Sequence, residues 1–311
     1  MTSQPYSPAF WCRSGHVNTL YSGLLRAVEV PAYRRQRVET PDGDFLDGDW
    51  LRDGNPRLAI ISHGLEGNSH RVYVSGMALT LARAGWDVLA WNYRGCSGEA
   101  NRKVISYHSG FTDDLDWIVQ RSSSHYQKIA LIGFSLGGNI TAKYLGEKGT
   151  DTPVFRAAVL SVPCDLAGSS NALTHWSARP YMARFLTSLR EKVRTKAKVF
   201  PDQVPLDGLD EMTTFAEFDN AYTAPINGFR DAEDYWAQAS CKQYLPAIKI
   251  PTLMVNAQDD PFLSPSCFPH EEAAANPHLS LLTPRWGGHV GFAEGYGRFW
   301  SERAVPDFLA K

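Results

Sequence analysis

Apolar residues follow two alternating rhythms along the chain. Short runs rich in Val, Ile, Leu and Ala read as buried strands over 58–62, 86–91, 128–133, 156–162, 251–256 and 278–282. Between them the spacing turns helical. Val74, Met77 and Leu81 mark a helix over 69–84 that stops at Gly85, and further helices are expected over 113–120, 136–146 and 296–309. Thr112 is placed to N-cap the helix at 113–120. Ahead of these, 34–39 and 45–50 flank Pro41-Asp42-Gly43 and read as an antiparallel hairpin. Strand and helix alternation of this kind predicts an α/β fold with a mostly parallel central sheet flanked by helices.

One stretch breaks the alternation. Residues 164–245 contain helical segments and many aromatics but no good strand. The expectation is an inserted helical cap over a single core built from 1–163 and 246–311.

Composition narrows the partners. The 311 residues carry 31 Lys and Arg against 33 Asp and Glu, a net charge of −2, so no global field draws the chain to nucleic acid. With 43% apolar and 21% charged residues the chain is neither disordered nor fibrous. Five scattered cysteines, without a C-x-x-C pair, give neither a disulfide framework nor a zinc site. Residues 1–10 lack a basic and an apolar leader region, and no apolar run approaches the roughly 18–20 residues that span a bilayer. A reduced, cytoplasmic protein without an integral membrane segment is expected.

The chemistry lies where the 128–133 strand turns into the following helix. Gly133-Phe134-Ser135-Leu136-Gly137-Gly138 is a G-x-S-x-G pattern in strand–turn–helix context. Such a turn strains its central residue and lifts the serine oxygen above the sheet edge, while the glycines admit close backbone approach. Ser135 is the candidate nucleophile. It needs a base, and the base needs an orienting acid, in the chain order Ser–Asp–His on loops after later strands. Of nine histidines, His289 alone follows both the acid loop and the last strand, with Gly287 and Gly288 before it. The acid loop, Ala257-Gln258-Asp259-Asp260-Pro261, offers two carboxylates. Asp260 is preferred because Pro261 biases it towards an extended backbone, and Asp259 is the alternative. An oxyanion needs two N–H donors. Leu136 should supply one and Leu65, in His63-Gly64-Leu65-Glu66-Gly67, the other, with His63 bracing that loop.

With these residues assembled, the chain resembles the α/β-hydrolase superfamily and, within it, the YheT-like esterase group. The resemblance runs through Ser14-Gly15-His16-Val17-Asn18-Thr19-Leu20, Asn92-Tyr93-Arg94-Gly95-Cys96-Ser97-Gly98, Tyr107-His108-Ser109-Gly110, Asn256 to Pro261, and Gly287-Gly288-His289-Val290-Gly291-Phe292. It implies an α/β-hydrolase fold and a Ser-Asp-His enzyme acting on small acyl esters, often of medium chain length, without metal or organic cofactor. Phe111 and Asp114 depart from the group's pattern without touching a catalytic position. An acyltransferase using an alcohol acceptor is the second expectation, and a non-catalytic ligand-binding homologue the third.

Three further features stand out. His108 and Asp113 match an H-x(4)-D spacing, for which a structural hydrogen bond from His108 is the simpler reading. Residues 184–198 form a basic amphipathic helix with Phe185, Leu189 and Val193 on its apolar stripe. Its basic face should be solvated, with peripheral contact to an anionic lipid surface as the alternative. Trp176, Tyr181, Met182, Phe185, Phe215, Phe218, Tyr222, Phe229, Tyr235 and Trp236 are expected to build the core of the insertion, a few of them lining an acyl pocket.

Overall fold

The computed structural model describes residues 5–311. Its strands are β1 (Arg34–Glu39), β2 (Phe45–Leu51), β3 (Arg57–Ser62), β4 (Asp87–Asn92), β5 (Lys128–Phe134), β6 (Val154–Leu160), β7 (Thr252–Val255) and β8 (Leu279–Leu282). They form one sheet in the order β1-β2-β4-β3-β5-β6-β7-β8. The β1–β2 hairpin joins β4 antiparallel, and every later pairing is parallel.

Period-two alternation divides the central strands between two layers. Leu58, Ile60, Ile129 and Leu131 pack beneath α3 (Asp113–Ser123) and α4 (Leu136–Lys148), which are preceded in the chain by α1 (Gly15–Leu20) and α2 (Val72–Arg83). Ala59, Ile61, Ala130 and Ile132 face the other way, against α2 and the C-terminal helix Trp300–Leu309. Small alanines on that face let the helices approach the sheet closely. Between β6 and β7 the chain forms helices only, including α5 (Leu166–Ala172), α6 (Arg179–Val199) and Ala232–Ala239.

Three local expectations are corrected. The last helix begins at Trp300, not at 296, because Ala293–Gly295 and Arg298–Phe299 pair as a short hairpin. Gly297, at φ 70°, makes that turn. The strand expected at 156–162 is Val154–Leu160; Ser161 leaves it at φ 53°. Thr112 has helical backbone angles and does not cap α3; its hydroxyl donates instead to Glu147 Oε2 at 2.7 Å. The acids Asp113, Asp114 and Asp116 occupy the first turn of α3, where negative charge complements the helix dipole.

All five cysteines are free. Among the described residues no helix is long and apolar enough to cross a membrane, and no cluster of side chains could hold a metal ion.

Candidate active site

The parallel strands β3, β5, β7 and β8 end on one edge of the sheet, and the site is built from the loops that follow them. Ser135 sits between β5 and α4 with φ 54° and ψ −121°. A non-glycine residue here costs of order 1–3 kcal/mol, so its surroundings must hold it. They do: Ser135 N–H donates to Leu160 O at 2.8 Å, and its carbonyl accepts from Gly138 and Asn139 at 2.8 and 3.1 Å. A Cβ on Gly137 would strike the carbonyl oxygens of Ser62 and His63 at the end of β3, and one on Gly133 would strike Gly137 O. The two glycines are what let the elbow close.

The structure brings Ser135, His289 and Asp260 together. His289 Nε2 lies 2.8 Å from Ser135 Oγ, and His289 Nδ1 lies 2.9 and 3.1 Å from the two oxygens of Asp260. The Asp260 side chain is fully buried, and the backbone N–H of Phe262 donates to its Oδ1 at 2.9 Å. The Phe262 ring stacks on the imidazole with centroids 4.1 Å apart. One face of the base is thus apolar and dry.

Asp259 is held elsewhere. Its Oδ1 accepts from Gly288 N at 2.9 Å, and its Oδ2 is buried without a partner among the described residues. Burial raises its pKa above the usual carboxylate value, more than the hydrogen bond lowers it. Asp259 therefore ties down the loop that carries His289, beside the carboxylate that meets the imidazole.

The Gly15 segment completes that loop, a part that the catalytic pattern in the sequence did not reveal. Thr19 Oγ1 donates to Gly15 O at 2.7 Å and accepts from His289 N at 2.8 Å. A Cβ on Gly15 would meet Asp259 O, and one on Gly288, at φ 57°, would meet Gly15 O. From the other side, Ser161 Oγ accepts from Val290 N at 2.9 Å. The backbone on both sides of His289 is pinned before any substrate arrives.

Beside Ser135 the loop after β3 presents Leu65. Among the described residues neither the Leu65 nor the Leu136 N–H has a protein acceptor, as two donors awaiting an oxyanion would. His63 braces this loop. Burial pushes its pKa down to about 3, so it is neutral; Nδ1–H donates to Gly64 O at 2.7 Å and Nε2 accepts from Tyr93 N at 3.3 Å. Glu66, at φ 52°, is gripped by Tyr107, whose hydroxyl accepts from Glu66 N at 2.9 Å and donates to Glu66 Oε1 at 2.6 Å.

Lys192 of α6 donates to the same Glu66 oxygen at 2.6 Å and to Cys96 Sγ at 3.1 Å. Lys196, one turn on, donates to the carbonyls of Lys103, Val104 and Ile105, and burial lowers its pKa to about 8. This corrects the picture of a solvated basic face on 184–198. Two of its lysines point inward, because polar partners from the sheet edge meet them there, while Arg184, Arg194 and Lys198 remain outside.

Ser135 and His289 open onto a largely apolar cavity. Phe185, Phe215, Phe218, Tyr222, Tyr235 and Trp236 line it, together with Leu65 and Leu136. Trp176 is 74% exposed and belongs to neither the pocket nor the interior. His108 also lines the cavity; its Nδ1 accepts from Gly110 N at 3.2 Å and burial lowers its pKa to about 4. Asp113 makes no hydrogen bond to it.

Comparison with known proteins agrees with the fold. The alpha/beta hydrolase fold family matches residues 60–296. The YheT protein of Escherichia coli (strain K12) is 36% identical over 308 residues, covering 94% of this chain and 89% of that one. A Saccharomyces cerevisiae (strain ATCC 204508 / S288c) protein named monoacylglycerol lipase is 32% identical over 287 residues, 89% of this chain and 63% of its own. In fold, the chain is similar to the Pyrococcus furiosus esterase Pf2001, with a TM-score of 0.61 at 16% identity over 99% of this chain and 98% of that one. From the sheet order, the elbow and these matches together, the chain belongs to the α/β-hydrolase fold family, in its YheT-like group.

Proposed function

We propose that the protein hydrolyses carboxylic esters, with acyl groups of short to medium length, through an acyl-enzyme on Ser135. The observation that carries this reading is the unbroken hydrogen-bonded line Asp260–His289–Ser135, whose serine and histidine line a largely apolar pocket. Relatives named monoacylglycerol lipase and phospholipase support it. In this mechanism Ser135 Oγ attacks the ester carbonyl as His289 Nε2 takes its proton. Asp260 holds Nδ1–H and stabilises the imidazolium, while the Leu65 and Leu136 amides receive the oxyanion. Collapse expels the alcohol, protonated by His289. Water, deprotonated by the same imidazole, then releases the acid and frees Ser135. Residues 164–245 serve as a cap that encloses the acyl chain over the core formed by 1–163 and 246–311.

Turnover of p-nitrophenyl esters graded by acyl length tests this proposal, with Ser135→Ala as control. Loss of about 10³-fold or more in the variant is the expected outcome for a broken triad. An undiminished rate would remove Ser135 from the chemistry.

A further inference from the structure

The part of the cavity lined by the inserted helices is not uniformly apolar. Asp219, Thr223 and Asn227 recur at intervals of four and form a polar ladder among the lining residues. Thr223 Oγ1 donates to Asp219 Oδ1 at 2.6 Å, and Asn227 Nδ2 donates to Thr223 O at 2.8 Å. The second bond fixes the amide orientation, since a carbonyl oxygen can only accept. Asn227 Oδ1 is therefore an acceptor, and it is buried with no partner among the described residues.

Asp219 is a buried acid in the same wall. Trp236 Nε1–H donates to its Oδ2 at 2.8 Å, and two neutral donors are all it has. Burial raises its pKa to about 6, with no cation acting against that. The two lysines of the pocket are engaged elsewhere, Lys192 by Glu66 and Lys196 by three carbonyls. A buried carboxylate without a counter-ion and a buried amide oxygen without a donor are each costly. A positively charged group beside Asp219 supplies the charge that the first lacks, and an N–H bond directed along the ladder supplies the hydrogen that the second lacks.

We infer that this wall is a subsite for a protonated amine, and that the esters taken by the protein carry a primary or secondary ammonium remote from the scissile bond. The inference rests on the ester-hydrolase reading for its substrate class but not for the binding site itself. Tyr222, Tyr235 and Trp236 line the same cavity and surround such a group with aromatic carbon. A quaternary ammonium would satisfy Asp219 in charge and leave Asn227 Oδ1 unpaired. A neutral hydroxyl would pair with Asn227 and leave Asp219 without its cation.

Calorimetric titration of Ser135→Ala protein separates this inference from turnover. The probes are n-alkylammonium ions from butyl to octyl, alkan-1-ols of the same lengths, and their N,N,N-trimethylammonium counterparts. A hydrogen bond to a charged group predicts that the best primary ammonium binds about 10- to 100-fold tighter than its alcohol. The trimethyl form should fall between. Asp219→Asn, which keeps the shape and one acceptor, should bring the ammonium-to-alcohol ratio close to one. Asn227→Leu should weaken the primary ammonium while leaving the trimethyl form unchanged. Equal binding of ammonium and alcohol overturns the inference, as does a preference that survives Asp219→Asn. Either result would leave ester hydrolysis by the wild type standing, and loss of that hydrolysis would leave the titration readable.

Discussion

Asp259 and Asp260 are adjacent in sequence and differ sharply in what they hold, so matched Asn substitutions separate their roles. Asp260 faces His289 Nδ1 with both oxygens and has no solvent contact. In Asp260→Asn an amide NH₂ replaces one of those oxygens. The imidazole must then either confront a second donor or shift its proton to Nε2, where it cannot accept from Ser135. The comparable substitution in a serine protease lowers turnover about 10⁴-fold, or about 5 kcal/mol in the barrier. Asp259→Asn can keep its Oδ1 on Gly288 N and places NH₂ where an oxygen already lacks a partner. Its cost is of order 1–3 kcal/mol in stability, with less than about 10-fold in rate. The assay is kcat/KM on one p-nitrophenyl ester for both variants, beside their thermal midpoints. Equal and severe rate losses in two folded variants, or the reverse order, would refute the assignment.

Lys192→Met removes the cation that holds Glu66 beside Leu65. We expect roughly a 10-fold fall in kcat with KM little changed, short of the 10²–10³ seen when an oxyanion donor is lost; steady-state kinetics checks the split. Gly137→Ala drives a methyl into the carbonyls of Ser62 and His63, and should lower the thermal midpoint or abolish soluble expression, whereas Gly43→Ala, with open space around it but φ 80°, should cost far less. His63 titrates near 3 in the folded chain against 6.5 when free, so below about pH 6.5 the unfolded state binds the extra proton and stability falls as pH drops towards 3. Thermal midpoints measured from pH 7 to 4 should therefore fall less steeply for His63→Gln than for the wild type, since His108 and Asp219 are common to both.

The elbow and its two partner loops were legible because each is a local pattern in a fixed chain order: a glycine-framed serine after a strand, an Asp-Asp-Pro turn, a Gly-Gly-His turn. Buried strands were legible for the same reason, their apolar runs being too short and too β-branched for helices. Contacts that join distant segments were not. Thr19 reaches the His289 backbone across 270 residues and Lys192 reaches Glu66 across 126; the motif at Ser14 to Leu20 marks its segment but not what it touches, and nothing local marks Lys192. The basic helix misled because periodicity shows which residues share a face but not what that face meets. The start of the C-terminal helix at Trp300 is not legible in the sequence, because Gly297 and the short pairing of Ala293 with Phe299 leave almost no trace in hydrophobic pattern. Asp219 and Asn227 lie among aromatics whose pattern signals packing alone. Their significance is a counter-ion missing at Asp219 and a donor missing at Asn227, which no local pattern shows.

The central claim is that His289 and Asp260 make Ser135 a nucleophile in the folded chain. Its most direct test is intact-mass and peptide-mapping analysis after exposure to an alkyl fluorophosphonate, which reacts with activated serines. The wild type should gain one adduct, mapped to Ser135, with labelling abolished in Ser135→Ala and strongly slowed in His289→Gln. A folded wild type that takes no adduct, or takes it at another serine, would contradict the account.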